Sequence, residues 1–372
     1  MSDFSDATHR PHAVHTDEVP RTTITKGPES LRITLDTWGP DRRLFTSLYD
    51  ALQANWGDAP SCTIEDRDFN GPDKRVPDRW AEQTGWNRLT DIQRSYVESC
   101  FAGRTLNQVL EGIVFHFRLD GVSRAFTHQN VRTRLGAGFM QHGGRDNDWR
   151  HRAWTMPETI RRACDAYGKH NIITDGQQHC VTDWTPINEY VIRETDLGLT
   201  SSMSLSRTIW EHLNRGQRLY AALVDAGIPW QDARRVLPMG TQTYIHAQYN
   251  YVALQGVLAN RLEHVMDWEY NCVAQLMLRE IKMHCPPLLS KYLGSHSDKA
   301  GYAKFAGLES WPPDGKYPVP AESATKPRTH RPEQMPFFVL HPDSMAGGPV
   351  RWIPTNGQYP HEVLARLKQE AK

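Results

Sequence analysis

The chain has 372 residues, with 43 Lys and Arg against 43 Asp and Glu, so its formal charge is zero. A protein that holds nucleic acid through charge carries an excess of basic groups, and this one does not. Hydrophobic residues make up 39% of the chain, enough for a globular core, yet no apolar run nears the roughly 18 to 20 residues that cross a bilayer. The opening stretch, MSDFSDATHRPHAVHTDEVPRTTITKG, lacks an apolar signal core. Six scattered cysteines without a CxxC pair point to reduced thiols and a cytoplasmic protein. The 17 histidines fall in no zinc spacing, so no metal is expected.

Residues 1–30 are polar and read as a flexible arm. From 31 to about 110, short apolar runs alternate with polar ones and read as mostly helical. The run IVFHFRL follows. Ile113, Phe115, Phe117 and Leu119 repeat at period two, which predicts a strand ended by Asp120-Gly121. A helix is expected from Ser123, a residue suited to the N-cap. Residues 135–145, LGAGFMQHGGR, carry four glycines and read as a loop. A short helix should follow Pro157, and residues 168–205 read as a polar insertion. A strong helix is predicted over 206–226, with Ile209, Trp210, Leu213, Tyr220, Leu223 and Val224 as its stripe and Gly227 as its stop. A second long helix is expected from Tyr249 to about 283, closed by Pro286 and Pro287. Eleven of the 24 prolines lie between Pro312 and Pro360, so residues 286–372 read as an extension that wraps the surface. It should end in a short helix, HEVLARLKQEA.

Three groups of residues suggest chemistry. Gln129, Arg132, Arg134 and Arg145 flank the glycine-rich segment. Guanidiniums offer paired donors and glycines let backbone amides approach phosphate oxygens, so the group suits an anion. A solvated basic helix end has the same spacing. No dinucleotide fingerprint is present, because Gln141 stands where G-x-G-x-x-G needs its third glycine. The second group is ARRVLP, residues 233–238. The third is Asn250 with Arg261, eleven residues apart and so on one face of a continuous helix, in line with Leu254, Val257 and Leu258. An Arg on an apolar stripe requires a partner: an internal carboxylate, or a bound anion.

Together these groups resemble the flavin-dependent thymidylate synthases. The family pattern is R-H-R-x5-[Q/E]-x-S-x-R with a Gln three residues ahead. In HQNVRTRLGAGFMQHGGR, Gln129, Arg132 and Arg134 match directly. One extra residue in the Gly136–Gly138 turn brings Gln141 and Arg145 into register. LEGIVFHFRL resembles the family's L-E-H before a strand, with Glu111 as the acid. ARRVLP resembles A-R-x-V-L-P, with Arg234 at its Arg. Asn250 and Arg261 then fall at the family's spacing. The resemblance covers about residues 31–285, taken as the catalytic domain. It implies an α/β (α+β) fold with a central mixed or antiparallel sheet flanked by long helices. It also implies a homotetramer with active sites shared between subunits. The implied cofactors are FAD, NADPH and methylenetetrahydrofolate, and the partner is a pyrimidine nucleotide. By the same resemblance, Glu111, Arg132, Thr133, Arg134 and Asn250 bind the flavin. Gln129, Gln141, Gly143, Gly144, Arg145, Arg234 and Arg261 bind the nucleotide, with Arg261 catalytic, stabilising negative charge on the ring.

The pattern departs from the family at Thr133, where His is usual, and at Gly143, where Ser is usual. Val252 stands where the family has Arg, and Gly256 where it has a polar side chain. Lost side chains near a sugar make room for a ribose hydroxyl, so the expected substrate is UMP, with dUMP also accepted. That resembles the polyoxin-type UMP C5-methylase branch of nucleoside-antibiotic pathways. Thymidylate synthesis from dUMP is the alternative, and a non-catalytic flavin- or nucleotide-binding relative is another.

Overall fold

The computed structural model describes residues 24–56, 76–101, 107–157, 205–262, 267–293, 338–355 and 360–370. The helix expected after Pro157, and almost all of the 168–205 insertion, lie outside them, as does most of the N-terminal arm. The chain forms two compact units. The first comprises Met1–Ser30, Gly121–Thr127 and Gln141–Tyr244; the second comprises Leu31–Asp120, His128–Met140 and Ile245–Lys372.

The second unit is built on a four-stranded sheet in the order β2-β3-β6-β4. Its strands are β2 (Arg32–Gly39), β3 (Val114–Ser123), β4 (Ala137–Gln141) and β6 (Gln242–Asn250). β2 and β3 run antiparallel, with a register shift between Leu35 and Thr37. The period-two reading of β3 holds: Phe115, Phe117 and Leu119 are buried while His116 and Arg118 face outward. The strand nevertheless runs through Asp120-Gly121, which had been expected to end it. β6 alternates the same way, burying Ile245, Ala247 and Tyr249. Three expectations therefore need correction. The region after residue 31 opens with a strand, β2, before its helices Leu44–Trp56, Asp78–Thr84 and Asp91–Phe101. The glycine-rich segment contains β4, because its backbone groups pair in the sheet whatever its side chains prefer. The long helix from Tyr249 is instead a strand end, the helix Tyr251–Arg261, and a second helix, Trp268–His284. Asp267 caps that second helix, accepting from the backbone N–H of Glu269 and Tyr270.

Trp268–His284 is the core helix, buried along most of its length. Polar residues inside it have defined tasks. Gln275 is fully buried and acts as a strand edge: its Nε2 donates to Phe338 O (2.8 Å) and its Oε1 accepts from Leu340 N (2.9 Å). Thus the antiparallel pair β7 (Phe338–Leu340) and β8 (Trp352–Pro354) is held against this helix, with Val339 and Leu340 buried. Arg279 holds the segment between them through the carbonyls of Ser344 and Gly348. A terminal helix follows at Pro360–Glu370.

In the first unit, β1 (Ile24–Lys26) pairs in parallel with β5 (Trp154–Met156). The helix Leu205–Asp225 matches the predicted span within one residue, and Gly227 closes it at a φ of 82°. Leu213, Tyr220 and Val224 of the predicted stripe are buried. Tyr220 Oη accepts from Trp149 N–H at 3.0 Å, and Gln217 Nε2 donates to the carbonyls of Trp149 and Arg150. Arg150 reaches both Asp148 (2.7 Å) and Asp225 (3.0 Å), so the segment around Trp149 is tied firmly to this helix.

Candidate active site

The first unit gathers the residues expected at a nucleotide phosphate. The chain leaves β4 at Gln141, whose Nε2 donates to Thr127 Oγ1 at 3.0 Å. Gly143, Gly144 and Arg145 follow. Gly144 is buried, and a Cβ there would lie 3.0 Å from Arg234 Cδ and 3.2 Å from the Trp149 ring. A side chain there would press on both neighbours, so Arg234 or the indole would have to give by a few tenths of an ångström. Gly143 differs: an added Cβ would meet only Arg145 N, at an ordinary 3.8 Å. Arg234 closes the short helix Trp230–Ala233, with its Nε bonded to Gln231 O at 3.1 Å. Arg145 keeps 73% of its side chain exposed, and its ion pair with Asp146 is a long 3.9 Å. Gly144, Arg145 and Arg234 therefore share one neighbourhood, as the sequence suggests.

Three residues of this neighbourhood carried no recognisable signal. Arg124 places its Cζ 5.6 Å from the Trp149 ring centroid. His142 stacks on the same ring, at 6.0 Å between centroids and 10° between planes, and leans on Tyr244 at 4.7 Å. Burial, then the charge of Arg152, hold the His142 imidazole below its ordinary pKa, with a hydrogen bond to Asn147 opposing them. It is a neutral aromatic wall at physiological pH.

The second unit gathers the residues expected at a flavin. Arg132 and Arg134 are exposed on the turn after the helix Arg124–Asn130, whose N-cap is Ser123 as predicted. Neither makes an ion pair among the described residues. Gln129 is half-buried beside them, and Glu111 is exposed in the turn Asn107–Gly112. Asn250 is not inside a helix. It is the N-cap of Tyr251–Arg261, and its Oδ1 accepts from Ala253 N at 2.8 Å. Its backbone N–H donates to Gly136 O at 2.7 Å, and a Cβ on Gly136 would collide with the Asn250 side chain. Gly136 also holds a φ of 67°, so the extra residue in this turn is accommodated by the one amino acid that tolerates both demands.

Arg261 ends that helix. Leu254, Val257 and Leu258 of its stripe are buried, as read from the sequence, while Arg261 is half-buried. Its Cζ sits 4.3 Å from the Tyr270 ring centroid. The Tyr270 hydroxyl donates to Asn130 Oδ1 at 2.6 Å, and Arg261 and Thr133 stand close enough to pull its pKa back down against burial. The Tyr249 hydroxyl donates to the same oxygen, also at 2.6 Å. Burial raises both phenol pKa values, so both remain donors. Thr133, at the position of the family's usual His, thus lies near the hydroxyl of the ring over which Arg261 stands.

The sequence profile of the family described as thymidylate synthase complementing protein matches residues 70–287. The chain belongs to this family. Every site residue named from the sequence, from Glu111 to Arg261, lies within that range. Among family relatives, the flavin-dependent thymidylate synthase of Saccharolobus solfataricus is 40% identical over 187 residues, covering 50% of this chain and 56% of that protein. The enzyme of the same description from Nitratidesulfovibrio vulgaris is 26% identical over 227 residues, covering 61% of this chain and 79% of its own. The match spans little more than half, 56%, of the archaeal relatives from Sulfurisphaera tokodaii and Saccharolobus solfataricus. A solved UMP/dUMP methylase, PolB from Streptomyces cacaoi bound with 5-Br dUMP, aligns at a TM-score of 0.45 and 16% identity, covering 73% of this chain and 96% of that chain. The family member described here is divergent, since its motif carries Thr133 and Gly143 at two signature positions.

Proposed function

We propose that this chain catalyses the reductive C5-methylation of a uridine 5′-monophosphate. Methylenetetrahydrofolate supplies the carbon, NADPH supplies the electrons, and the products are the 5-methyl nucleotide, tetrahydrofolate and NADP⁺. UMP is the preferred substrate and dUMP is accepted. The working unit is a homotetramer. What carries the reading is that this family member keeps two separate cation sets: Arg132 with Arg134, and Arg145 with Arg234 around Gly144.

The first set fits a flavin dinucleotide. Two exposed guanidiniums without ion pairs among the described residues suit a diphosphate, and Asn250 keeps its Nδ2 as a donor once Oδ1 caps the helix. Glu111 and Thr133 complete this set. FAD, when bound, supplies the hydride that reduces the transferred carbon to a methyl group. The second set, with Gln129 and Gln141, holds the nucleotide, so that binding energy at the phosphate orients the ring. Arg261 opposes the negative charge that develops on the pyrimidine as C5 becomes nucleophilic. Its half-buried setting over Tyr270 weakens competition from water.

The test is anaerobic turnover of UMP and dUMP side by side with FAD, NADPH and methylenetetrahydrofolate, read by product mass. A gain of one methyl group on UMP is expected. Methylation of dUMP alone would make this a thymidylate synthase, which the free space at Gly143 also allows. Protein that stays colourless with excess FAD would refute the catalytic reading.

A further inference from the structure

Arg261 is gripped twice by the start of the core helix Trp268–His284. The Tyr270 ring centroid lies 4.3 Å from its Cζ, and Asn271 Nδ2 donates to its carbonyl oxygen at 3.0 Å. The second contact matters because the last carbonyls of a helix have no partner within it. Arg261 closes the helix Tyr251–Arg261, so Asn271 satisfies one such carbonyl and fixes the backbone from which the guanidinium extends.

Asn271 is itself held from one turn further along. Its Oδ1 accepts from Gln275 Nε2 at 2.8 Å, and both residues are buried. Gln275 Nε2 also donates to Phe338 O at 2.8 Å, and its Oε1 accepts from Leu340 N at 2.9 Å. An amide nitrogen carries two protons, so both donations can be made at once. Phe338 and Leu340 belong to β7, and the Phe338 ring meets Trp268 edge-on at 6.4 Å. A continuous set of hydrogen bonds therefore runs from β7 through Gln275 and Asn271 to the backbone of Arg261. All of these residues lie in the second unit. The family profile ends at residue 287, so β7 and β8 stand beyond it. Each such bond adds only about 1 kcal/mol net, yet any slip leaves a buried donor or acceptor unpaired. The arrangement gives little stability and a single register.

We infer that Asn271 and Gln275 are positioning residues for Arg261, and that β7 and β8 belong to the catalytic unit because they hold those two amides in register. The assignment rests on the proposed function in taking Arg261 as the cation that faces the pyrimidine. It gives this part of the C-terminal extension a task that acts through Arg261. A guanidinium that opposes charge developing in the transition state acts on kcat, so a small displacement of it lowers kcat more than it raises KM.

Gln275→Met in the full-length protein tests it, since the substitution keeps the volume and removes the polar contacts. Per bound flavin, kcat should fall about 10-fold while the nucleotide KM moves by less than about threefold. In the Arg261→Ala background the same change should lower kcat by less than about twofold, because its effect passes through Arg261. Met277→Ala is the control. Met277 is buried on the same helix, so its loss should lower the urea midpoint and leave kcat at the wild-type value. Gln275→Glu keeps the acceptor for Leu340 N and serves if the Met variant does not fold. Hydrogen exchange supplies a readout that needs no turnover. Peptides covering Tyr251–Leu262 should exchange about 10-fold faster in Gln275→Met, while those covering β3 keep the wild-type rate. Unchanged exchange over Tyr251–Leu262 overturns the assignment. So does a kcat loss as large in the Arg261→Ala background as without it, or an equal loss in Met277→Ala. Faster exchange over Tyr251–Leu262, in a protein whose wild type methylates neither nucleotide, upholds the seat of Arg261 and removes the proposed function instead.

Discussion

Asn130 offers the sharpest test of the network that seats Arg261. It is fully buried, and its Oδ1 is the shared acceptor of the Tyr249 and Tyr270 hydroxyls, each at 2.6 Å. Asn130→Ala strands two buried donors at once. A buried donor left without its acceptor costs about 1–3 kcal/mol, so the two sum to about 2–6 kcal/mol. The Tyr249 and Tyr270 hydroxyls also interact with each other, which leaves one of them an alternative acceptor and places the expected loss in the lower half of that range, about 2–4 kcal/mol. Tyr270→Phe behaves differently. It removes one donor while Oδ1 keeps the other, and the ring remains under Arg261, so about 1 kcal/mol is expected. The assay is urea unfolding of flavin-free protein, comparing midpoints at constant slope. If Asn130→Ala costs no more than Tyr270→Phe, the shared acceptor does not organise this core and the argument fails.

Three further predictions follow from the site. Arg261→Ala should lower turnover by about 10² or more while flavin content stays at the wild-type level, and a loss below about threefold would remove its charge-stabilising role. Gly143→Ser should fold normally, because its Cβ meets nothing closer than 3.8 Å, and should shift preference from UMP towards dUMP; an unchanged ratio of kcat/KM values would take the residue out of sugar selection. His142 should make the protein acid-sensitive. Its folded pKa lies below the unfolded value of 6.5, so between the two the unfolded chain binds more protons. The stability it contributes is complete above that unfolded value and is lost as pH falls through the folded one. His142→Gln should flatten the fall in urea midpoint between about pH 7.5 and 5.5, and parallel curves for the two proteins would exclude His142 as the cause.

Much of the fold could be read where side chains alternate against one buried face. β3, the Ser123 cap and the helix Leu205–Asp225 are local patterns, and local patterns survive folding. β6 carried the same signal, with Thr243, Ile245, Ala247 and Tyr249 buried in alternation, but the apolar run beyond Tyr249 concealed where strand becomes helix. The turning point is Asn250, whose side chain caps Ala253. An Asn before an apolar run is a start signal, but here it was taken as lying inside a helix already begun at Tyr249. β4 had no such signal, since glycines do not alternate and its pairing comes from the sheet. The site divides in the same way. Arg132, Arg134, Arg145, Arg234 and Arg261 stood in motifs. Arg124 gains meaning only through Trp149, 25 residues away, and Asn130 only through two tyrosines on other elements.

The glycines that replace or interrupt the family pattern separate into two physical classes. Gly136 and Gly144 are closely constrained: one holds a positive φ against Asn250, and the other is packed tightly by Arg234 and Trp149. A side chain would collide with Asn250 at the first and press on Arg234 and Trp149 at the second. Gly143 and Gly256 are required by nothing in the described structure. A Cβ at Gly143 finds ordinary contact, and one at Gly256 finds nothing within 4 Å. Packing therefore explains the first pair and cannot explain the second. At these two positions the fold would accept a side chain that the sequence withholds. On the proposed function, Gly143, beside the Arg145–Arg234 cluster, is the position to test for telling a ribose from a deoxyribose, and Gly256 is the corresponding position to test in the second unit.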